Sequence, residues 1–322
     1  MPRAVVNGIR IHYLRAGQGP DVVMIHGLAA NMAFWYLGIA RRLTAAFRVT
    51  LYDLRGHGYS EAPPTGYTSA DMAEDLDALL DHLDIEQAHL VGHSFGGTVA
   101  LHYATLAPRR VRSLVLADVR VRPLQPIQRL RDGAAWREQH RRLADLGVAV
   151  SDTEDDVGHF VLEELARSKA QLPARPLEGR ESLAAPFDRW LGRGAAERWL
   201  TLLDTTSARE DLKALAGLTR ERIRAVAIPT LAIYGATSRC MPSLRRLARE
   251  MPRCLPVVVP GVGHFHPLLR PGVLVRYLRV FLRDPERMAA ARRGARQRGV
   301  RARRLLALEE GGDGMLDAGQ PA

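Results

Sequence analysis

The feature that most constrains the fold is a serine enclosed by glycines, in the run VGHSFGG at residues 91–97. The apolar residues HLVG before the serine predict a buried strand, and GTVALHYA after it predicts a helix. A serine at such a sharp turn adopts strained backbone, and small neighbours let the two elements pass closely. Its hydroxyl then projects beside a helix N-terminus, which favours negative charge. Ser94 is therefore the first candidate nucleophile.

Strands and helices alternate on both sides of this turn. The dipeptide Asn7-Gly8 lies between two β-rich runs and predicts a hairpin. The segment TSADMAEDLDALLDHL has apolar residues at helical spacing behind a Thr or Ser cap, which predicts a helix. Further strands are predicted for DVVMIHG, FRVTLY and VRSLVLAD. The alternation predicts an α/β fold, with a parallel sheet that carries helices on both faces.

The pattern changes at residue 119. Residues 119–225 have helical patterns broken by Pro and Gly, without strand-like alternation, and predict a helical insertion. Strand and helix patterns resume over residues 226–283, so residues 1–118 and 226–283 are predicted to form one core. Residues 284–322 are rich in Arg and low in complexity, and they are predicted to be a disordered C-terminal tail.

The net charge of +11 is concentrated in residues 221–283, where eleven Arg accompany two Glu. A positive patch can attract anionic substrates, nucleic acid or a membrane surface. No stacking aromatic residues interleave with these arginines, as a nucleic-acid groove would require. We therefore interpret the charge as incidental to an Arg-rich composition and expect a small-molecule partner, with no nucleic acid.

Targeting signals and disulfides are not indicated. The sequence has no run of eighteen apolar residues, and its first residues lack the apolar region of a signal peptide, so no membrane partner is expected. Cys240 and Cys254 are the two cysteines, which gives no disulfide framework and favours the reducing cytoplasm. We expect a monomer or a homodimer.

Four further stretches carry a resemblance to a known family: HGLAAN at 26–31, DLRGHGYS at 53–60, IPTLAIYG at 228–235 and GVGHFHPLLRP at 261–271. Together with VGHSFGG they resemble the α/β-hydrolase fold family, of the esterase, lipase and epoxide-hydrolase type. The resemblance extends from about residue 5 to residue 283. It implies a mostly parallel, eight-stranded sheet flanked by helices, with the insertion as a helical lid that selects the substrate.

The resemblance also implies a role for single residues. Ser94 matches the nucleophile and His264 the general base. The backbone N–H groups of Leu28 and Phe95 match the oxyanion hole. No cofactor is implied, and a Ser at position 94 argues against the aspartate nucleophile of dehalogenases and epoxide hydrolases.

Other histidines compete with His264 for the role of base, and the motif HFH could suggest a metal pair. No Asp or Glu lies between residues 251 and 283, whereas a zinc site usually needs a third and a fourth ligand. We therefore expect no metal. The competing histidines are His57, His93, His102 and His266.

The catalytic acid departs from the family pattern. Family members read G-x-x-D-x-x-x-P after the strand IPTLAIYG, and this sequence reads GATSRCMP, with Ser238 in place of the Asp. A hydroxyl can orient an imidazole but cannot stabilise its positive charge as a carboxylate does. Asp118, at the end of SLVLAD, is the candidate replacement, because its strand should end on the same rim as Ser94. The alternative is that Asp118 only caps the start of the lid.

These residues favour a cofactor-independent serine hydrolase that forms an acyl-enzyme with a small ester or another acyl-type substrate. One alternative is a non-catalytic binding protein of the same fold that has lost its acid. Another is a carbon–carbon bond hydrolase or a lyase. Aromatic residues of the lid suggest an apolar acyl or aromatic group, although such residues also form core: Trp136, Phe160, Phe187, Trp190 and Trp199.

Overall fold

The computed structural model describes residues 2–127, 157–171 and 192–290, together with four single helical positions at 137, 140, 141 and 144. Its framework is an eight-stranded sheet. The strands are β1 (Arg3–Val6), β2 (Ile9–Ala16), β3 (Asp21–Ile25), β4 (Arg48–Tyr52), β5 (Ala88–His93), β6 (Val111–Ala117), β7 (Thr230–Gly235) and β8 (Cys254–Val259).

The strands pair in the order β1-β2-β4-β3-β5-β6-β7-β8. β2 is antiparallel to both β1 and β4, and the remaining neighbours are parallel. Asn7 and Gly8, with φ of 48° and 76°, form the tight turn between β1 and β2, which confirms the predicted hairpin. The predicted fold class, an α/β fold with a mostly parallel eight-stranded sheet, is confirmed.

Helices connect these strands. They are α1 (Ala33–Tyr36), α2 (Ser69–His82), α3 (Phe95–Leu106), α4 (Val157–Gln171), α5 (Arg193–Thr205), α6 (Ala208–Asp211), α7 (Arg220–Ala225), α8 (Met241–Glu250), α9 (His266–Leu269) and α10 (Pro271–Arg283). α2 begins at a capping box, in which Thr68 Oγ1 accepts from the Asp71 amide and Asp71 accepts from the Thr68 amide. Within the described part of the chain, no helix combines the length and the apolar character of a membrane span.

Two apolar clusters cover opposite faces of the sheet. In β5, Leu90 belongs to one cluster and Val91 to the other, and Leu114 and Val115 of β6 divide in the same way. Side chains of a strand alternate between the two faces, so this division is expected. Helices α2, α3 and α8 pack on the first face, and α1 and α10 pack on the second. Burial on both faces explains why the central strands read as continuous apolar runs.

The described residues between β6 and β7 are helical where they form regular structure. α4 packs against α5, where Trp199 is buried, and Glu163 of α4 pairs with Arg209 of α6. No strand occurs among the described residues of this segment. Several residues of the predicted lid lie outside the described residues, namely the acidic run 152–156, Trp136, Phe187, Trp190 and the side chain of Phe160.

The C-terminal core extends beyond the predicted start of the tail at residue 284. Asp284 Oδ1 accepts from the Arg287 amide, and residues 285–290 are helical. Met288 is buried in the same cluster as Leu278 of α10. This apolar contact attaches the helical residues 285–290 to the core. The rest of the predicted tail, 291–322, lies outside the described residues.

Candidate active site

Ser94 occupies the sharp turn between β5 and α3. Its backbone has φ 52° and ψ −124°, a conformation that L residues rarely adopt. A Cβ atom at Gly92 would lie 2.4 Å from the Gly97 Cα, and one at Gly96 would lie 2.3 Å from the His26 carbonyl oxygen. Only glycine fits these approaches, so the glycines around Ser94 are required for the turn.

His264 lies in the loop between β8 and α9, and its ring connects two groups of the site. Nε2 is 3.1 Å from Ser94 Oγ, and Nδ1 is 2.9 Å from Asp118 Oδ1. The His93 Nε2–H donates to the His264 carbonyl oxygen at 3.0 Å, which anchors the backbone of the loop. This arrangement corresponds to the tautomer in which Nδ1 carries the proton and Nε2 faces the serine.

Asp118 follows the last residue of β6 and is fully buried. Its Oδ2 accepts from the Gly235 amide at 2.8 Å, and its Oδ1 accepts from His264 Nδ1–H and from the Ser238 hydroxyl. Ser238, which stands where the family pattern has an acid, therefore donates to the carboxylate of the neighbouring strand. A buried charge needs such donors to offset the loss of water.

Asp118 and His264 shift each other's pKa. Burial alone would raise the pKa of Asp118, but the hydrogen bond and the charge of His264, together with the Ser238 hydroxyl, lower it to about 2. Burial alone would lower the pKa of His264, but the hydrogen bond and the negative charge of Asp118 outweigh burial and raise it. The pair thus favours a charged carboxylate that stabilises a protonated imidazole.

Leu28 and Phe95 are both near Ser94. Phe95 is the first residue of α3, where an amide has no partner within the helix. Leu28 follows β3, and a Cβ atom at the preceding Gly27 would lie 3.0 Å from the Ser94 Cβ. Asp53 Oδ1 accepts from the Met32 amide at 2.8 Å and so anchors the loop that carries Leu28. Both residues line the same cavity as Ser94.

The competing histidines have other partners. His266 Nε2 donates to the Ile233 carbonyl, and His57 Nδ1 donates to the Arg55 carbonyl. His102 pairs with the Ser69 hydroxyl. The three rings are buried, and their pKa values are lowered chiefly by that burial. Of the candidate bases, the structure brings only His264 into hydrogen-bond contact with Ser94.

Sequence reasoning took Cys240 as a small apolar residue near this loop and did not anticipate its contact with His264. Its Sγ lies 3.9 Å from His264 Nδ1, and it is buried at the edge of the cavity. Asp118, Cys240 and His264 bring their ligand atoms within 4.8 Å of one another, a spacing that a metal ion could use. In the arrangement seen here, Asp118 and His264 are bonded to each other instead.

A cavity of about 210 Å³ opens above Ser94 and His264. Its described walls are largely apolar and come from both the core and the helical segment. Representative wall residues are Phe34, Phe95, Leu162, Leu215, Leu218 and Leu268. The cavity can accommodate an apolar group next to the Ser94 hydroxyl.

Comparison with known proteins identifies the class. The chain belongs to the α/β-hydrolase fold family, whose sequence model matches residues 20–271. An uncharacterized protein of Mycobacterium tuberculosis is 40% identical over 113 residues, which make up 35% of this chain and 33% of that protein. The match therefore spans about a third of that relative's length.

Two further proteins resemble a larger part of the chain. A cis-3-alkyl-4-alkyloxetan-2-one decarboxylase of Shewanella oneidensis is 27% identical over 233 residues, 71% of this chain and 70% of that one. The solved structure of an enol-lactonase from Burkholderia xenovorans has a TM-score of 0.59 and 24% identity, and covers 88% of this chain and 100% of that one. At that identity, the structural likeness shows the fold.

Proposed function

We propose that this protein is a cofactor-independent serine hydrolase that cleaves a small ester or a related acyl compound. The observation that carries the proposal is the continuous chain of hydrogen bonds from Ser94 Oγ through His264 to Asp118, at 3.1 and 2.9 Å. A serine, a histidine and a buried carboxylate in this geometry form the constellation that activates a hydroxyl. Asp118 takes the role of the acid, in place of a residue at position 238.

The reaction follows from this geometry. Ser94 Oγ attacks the acyl carbon while His264 Nε2 takes the hydroxyl proton. The tetrahedral intermediate collapses, and the leaving alcohol takes that proton from His264. Water then gives a proton to His264 and attacks the acyl-enzyme, and Ser94 Oγ leaves with the proton. Asp118 stabilises the imidazolium in both steps.

The amides of Leu28 and Phe95 supply the oxyanion hole in this proposal. Donors of this kind lower the barrier by about 3 kcal/mol each, because they face the position where negative charge develops. Helix α3 adds its own N-terminal dipole at the same place. The substrate in the name of the Shewanella oneidensis relative, an oxetan-2-one, is a cyclic ester, whereas the reaction in that name is a decarboxylation.

A fluorophosphonate probe tests the proposal, since it reacts with an activated serine. We expect the wild type to be labelled, and Ser94→Ala to fold normally and resist labelling. Ser207→Ala, a serine at the start of α6, is the matched control and should label as the wild type does. A well-folded wild type that resists the probe would instead favour a non-catalytic binding protein.

A further inference from the structure

Three side chains that can bind metal ions meet beside the cavity. Asp118, Cys240 and His264 place their ligand atoms within 4.8 Å of one another. His264 Nδ1 is 2.9 Å from Asp118 Oδ1 and 3.9 Å from Cys240 Sγ. A tetrahedral zinc ion, with Zn–N and Zn–O bonds of about 2.0 Å and a Zn–S bond of about 2.3 Å, separates neighbouring ligand atoms by about 3.3–3.6 Å. The two measured distances lie on either side of that range, so movements of about 0.5 Å bring these atoms to zinc spacing.

Three neighbouring strands supply these side chains at one edge of the sheet. Asp118 follows β6, Cys240 follows β7, and His264 follows β8. Ser238 connects the first two, because its hydroxyl donates to Asp118 Oδ1 and accepts from the Cys240 amide at 3.0 Å. The prediction of no metal site considered acids between residues 251 and 283, whereas the fold supplies Asp118 from 146 positions earlier in the chain than His264.

The cavity gives an ion access to these atoms, and the charges of the site suit a divalent cation. Cys240 and His264 both line the cavity, and the His264 side chain is 31% exposed. A thiol must lose its proton to bind a metal ion, so Cys240 Sγ releases one proton to solvent. A divalent cation, the Cys240 thiolate, the Asp118 carboxylate and a neutral imidazole then sum to zero charge. A buried site tolerates a neutral group of this kind better than an uncompensated charge.

We propose that Asp118, Cys240 and His264 form an inhibitory site for a divalent ion that accepts thiolate ligands, Zn²⁺ or Cd²⁺. The thiolate disfavours Mg²⁺ and Ca²⁺, which prefer oxygen ligands. The ion replaces the hydrogen bond between Asp118 and His264 Nδ1. The single proton of the neutral imidazole then lies on Nε2, so His264 donates to Ser94 and cannot take its proton. The inhibition rests on the proposed function, whereas the binding of the ion does not.

Titration of the full-length protein with Cd²⁺ tests the site without turnover. The protein is treated with EDTA and desalted, and the ultraviolet charge-transfer absorption of a cadmium–thiolate bond is recorded. We expect a signal that saturates at one ion per chain and is displaced by Zn²⁺, but not by a large excess of Mg²⁺ or Ca²⁺. A folded protein that gives no cadmium–thiolate signal would overturn the inference.

Substitutions assign the signal to this cluster. Cys240→Ala should abolish the signal, and Asp118→Asn, which removes an anionic ligand, should weaken Cd²⁺ binding roughly tenfold or more. Cys254→Ala is the matched control and should keep the signal, because Cys254 is the other cysteine of the chain and is buried at the opposite end of the sheet, paired with Thr230. Circular dichroism checks that the variants are folded. A signal that survives Cys240→Ala, or an affinity unchanged in Asp118→Asn, would contradict the assignment.

Turnover separates this inference from the proposed function. We expect Zn²⁺ to inhibit hydrolysis of a 4-nitrophenyl ester, EDTA to restore it, and Cys240→Ala to need roughly tenfold or more Zn²⁺ for half-inhibition of its own metal-free rate. Equal sensitivity of Cys240→Ala and Cys254→Ala would overturn the inference and leave the hydrolase proposal standing. One Cd²⁺ bound through Cys240, in a protein that hydrolyses no ester and resists the fluorophosphonate probe, would support the metal site and contradict the hydrolase proposal.

Discussion

Asp118 connects three parts of the site through one buried carboxylate. It accepts from His264 Nδ1–H, from the Gly235 amide and from the Ser238 hydroxyl. Gly235 is the last residue of β7, so the Asp118 carboxylate, just after β6, also binds the end of the neighbouring strand. A residue in this position serves the fold as well as the imidazole, and the two roles need separate tests.

Asp118→Asn should keep the fold and lower kcat by about four orders of magnitude, because an amide cannot stabilise the imidazolium. Ser238→Ala removes one donor to the carboxylate and should cost much less. Kinetics with a 4-nitrophenyl ester, combined with circular dichroism, check both variants.

Ser238→Asp in the Asp118→Asn background should recover part of the activity. If the Asp118→Asn protein is nearly fully active, Asp118 has only a structural role, as a cap at the start of the lid.

The dependence of kcat/KM on pH reports the protonation of His264 beside Asp118. Asp118 raises the pKa of His264 above 6.5, and only the neutral imidazole can accept the serine proton. Activity should therefore be lost as the pH falls through a value above 6.5 in the wild type. In Asp118→Asn the negative charge that raises the pKa of His264 is removed. The acidic limb of the kcat/KM profile should therefore move to lower pH. If the acidic limb lies at the same pH in Asp118→Asn and the wild type, Asp118 does not set the pKa of His264.

At the scale of elements, the turn between β5 and α3 depends on close backbone approach. A Cβ atom at Gly96 would lie 2.3 Å from the His26 carbonyl oxygen and 2.5 Å from that of Ile25. Gly96→Ala should therefore lower the free energy of unfolding by about 1–3 kcal/mol, as overpacking does, and displace the loop that carries Leu28.

Gly192→Ala is the matched control for that change. A Cβ atom at Gly192 meets nothing within 4 Å among the described residues, and its φ of −66° suits any L residue. Urea denaturation should show a lower stability for Gly96→Ala and little change for Gly192→Ala. Equal stabilities for the two variants would contradict the tight packing of the turn.

The local pattern of elements was predictable from the sequence, and the family resemblance suggested that Ser94, Asp118 and His264 meet, but other long-range contacts around the site were not predictable. The hairpin at Asn7-Gly8 and the strand–turn–helix at Ser94 depend on neighbouring residues, so short-range patterns predicted them. The bond from Ser238 to Asp118 spans 120 positions of the chain, and the bond from Gln125 to Arg239 spans 114. Such contacts follow from strand order, which a single sequence does not reveal.

At the scale of the whole molecule, the positive charge is spread over an outer helix face. Arg245, Arg246 and Arg249 are exposed on α8, whereas Arg220 and Arg224 pair with Glu250. We expect no retention on duplex DNA at moderate salt. Salt-sensitive retention that disappears on replacing the three α8 arginines with Gln would contradict this, because counterion release marks phosphate contacts. Circular dichroism checks that the triple variant is folded.

The central claim is that Ser94 forms a covalent acyl-enzyme, and trapping that intermediate tests it most directly. Wild-type protein is mixed with a slowly deacylated 4-nitrophenyl ester and acid-quenched, and the digest is analysed by mass spectrometry. We expect the acyl mass on the peptide that contains Ser94, and no acylated peptide in Ser94→Ala. Turnover of the ester without acylation of Ser94, or with the acyl group on another residue, would contradict the claim.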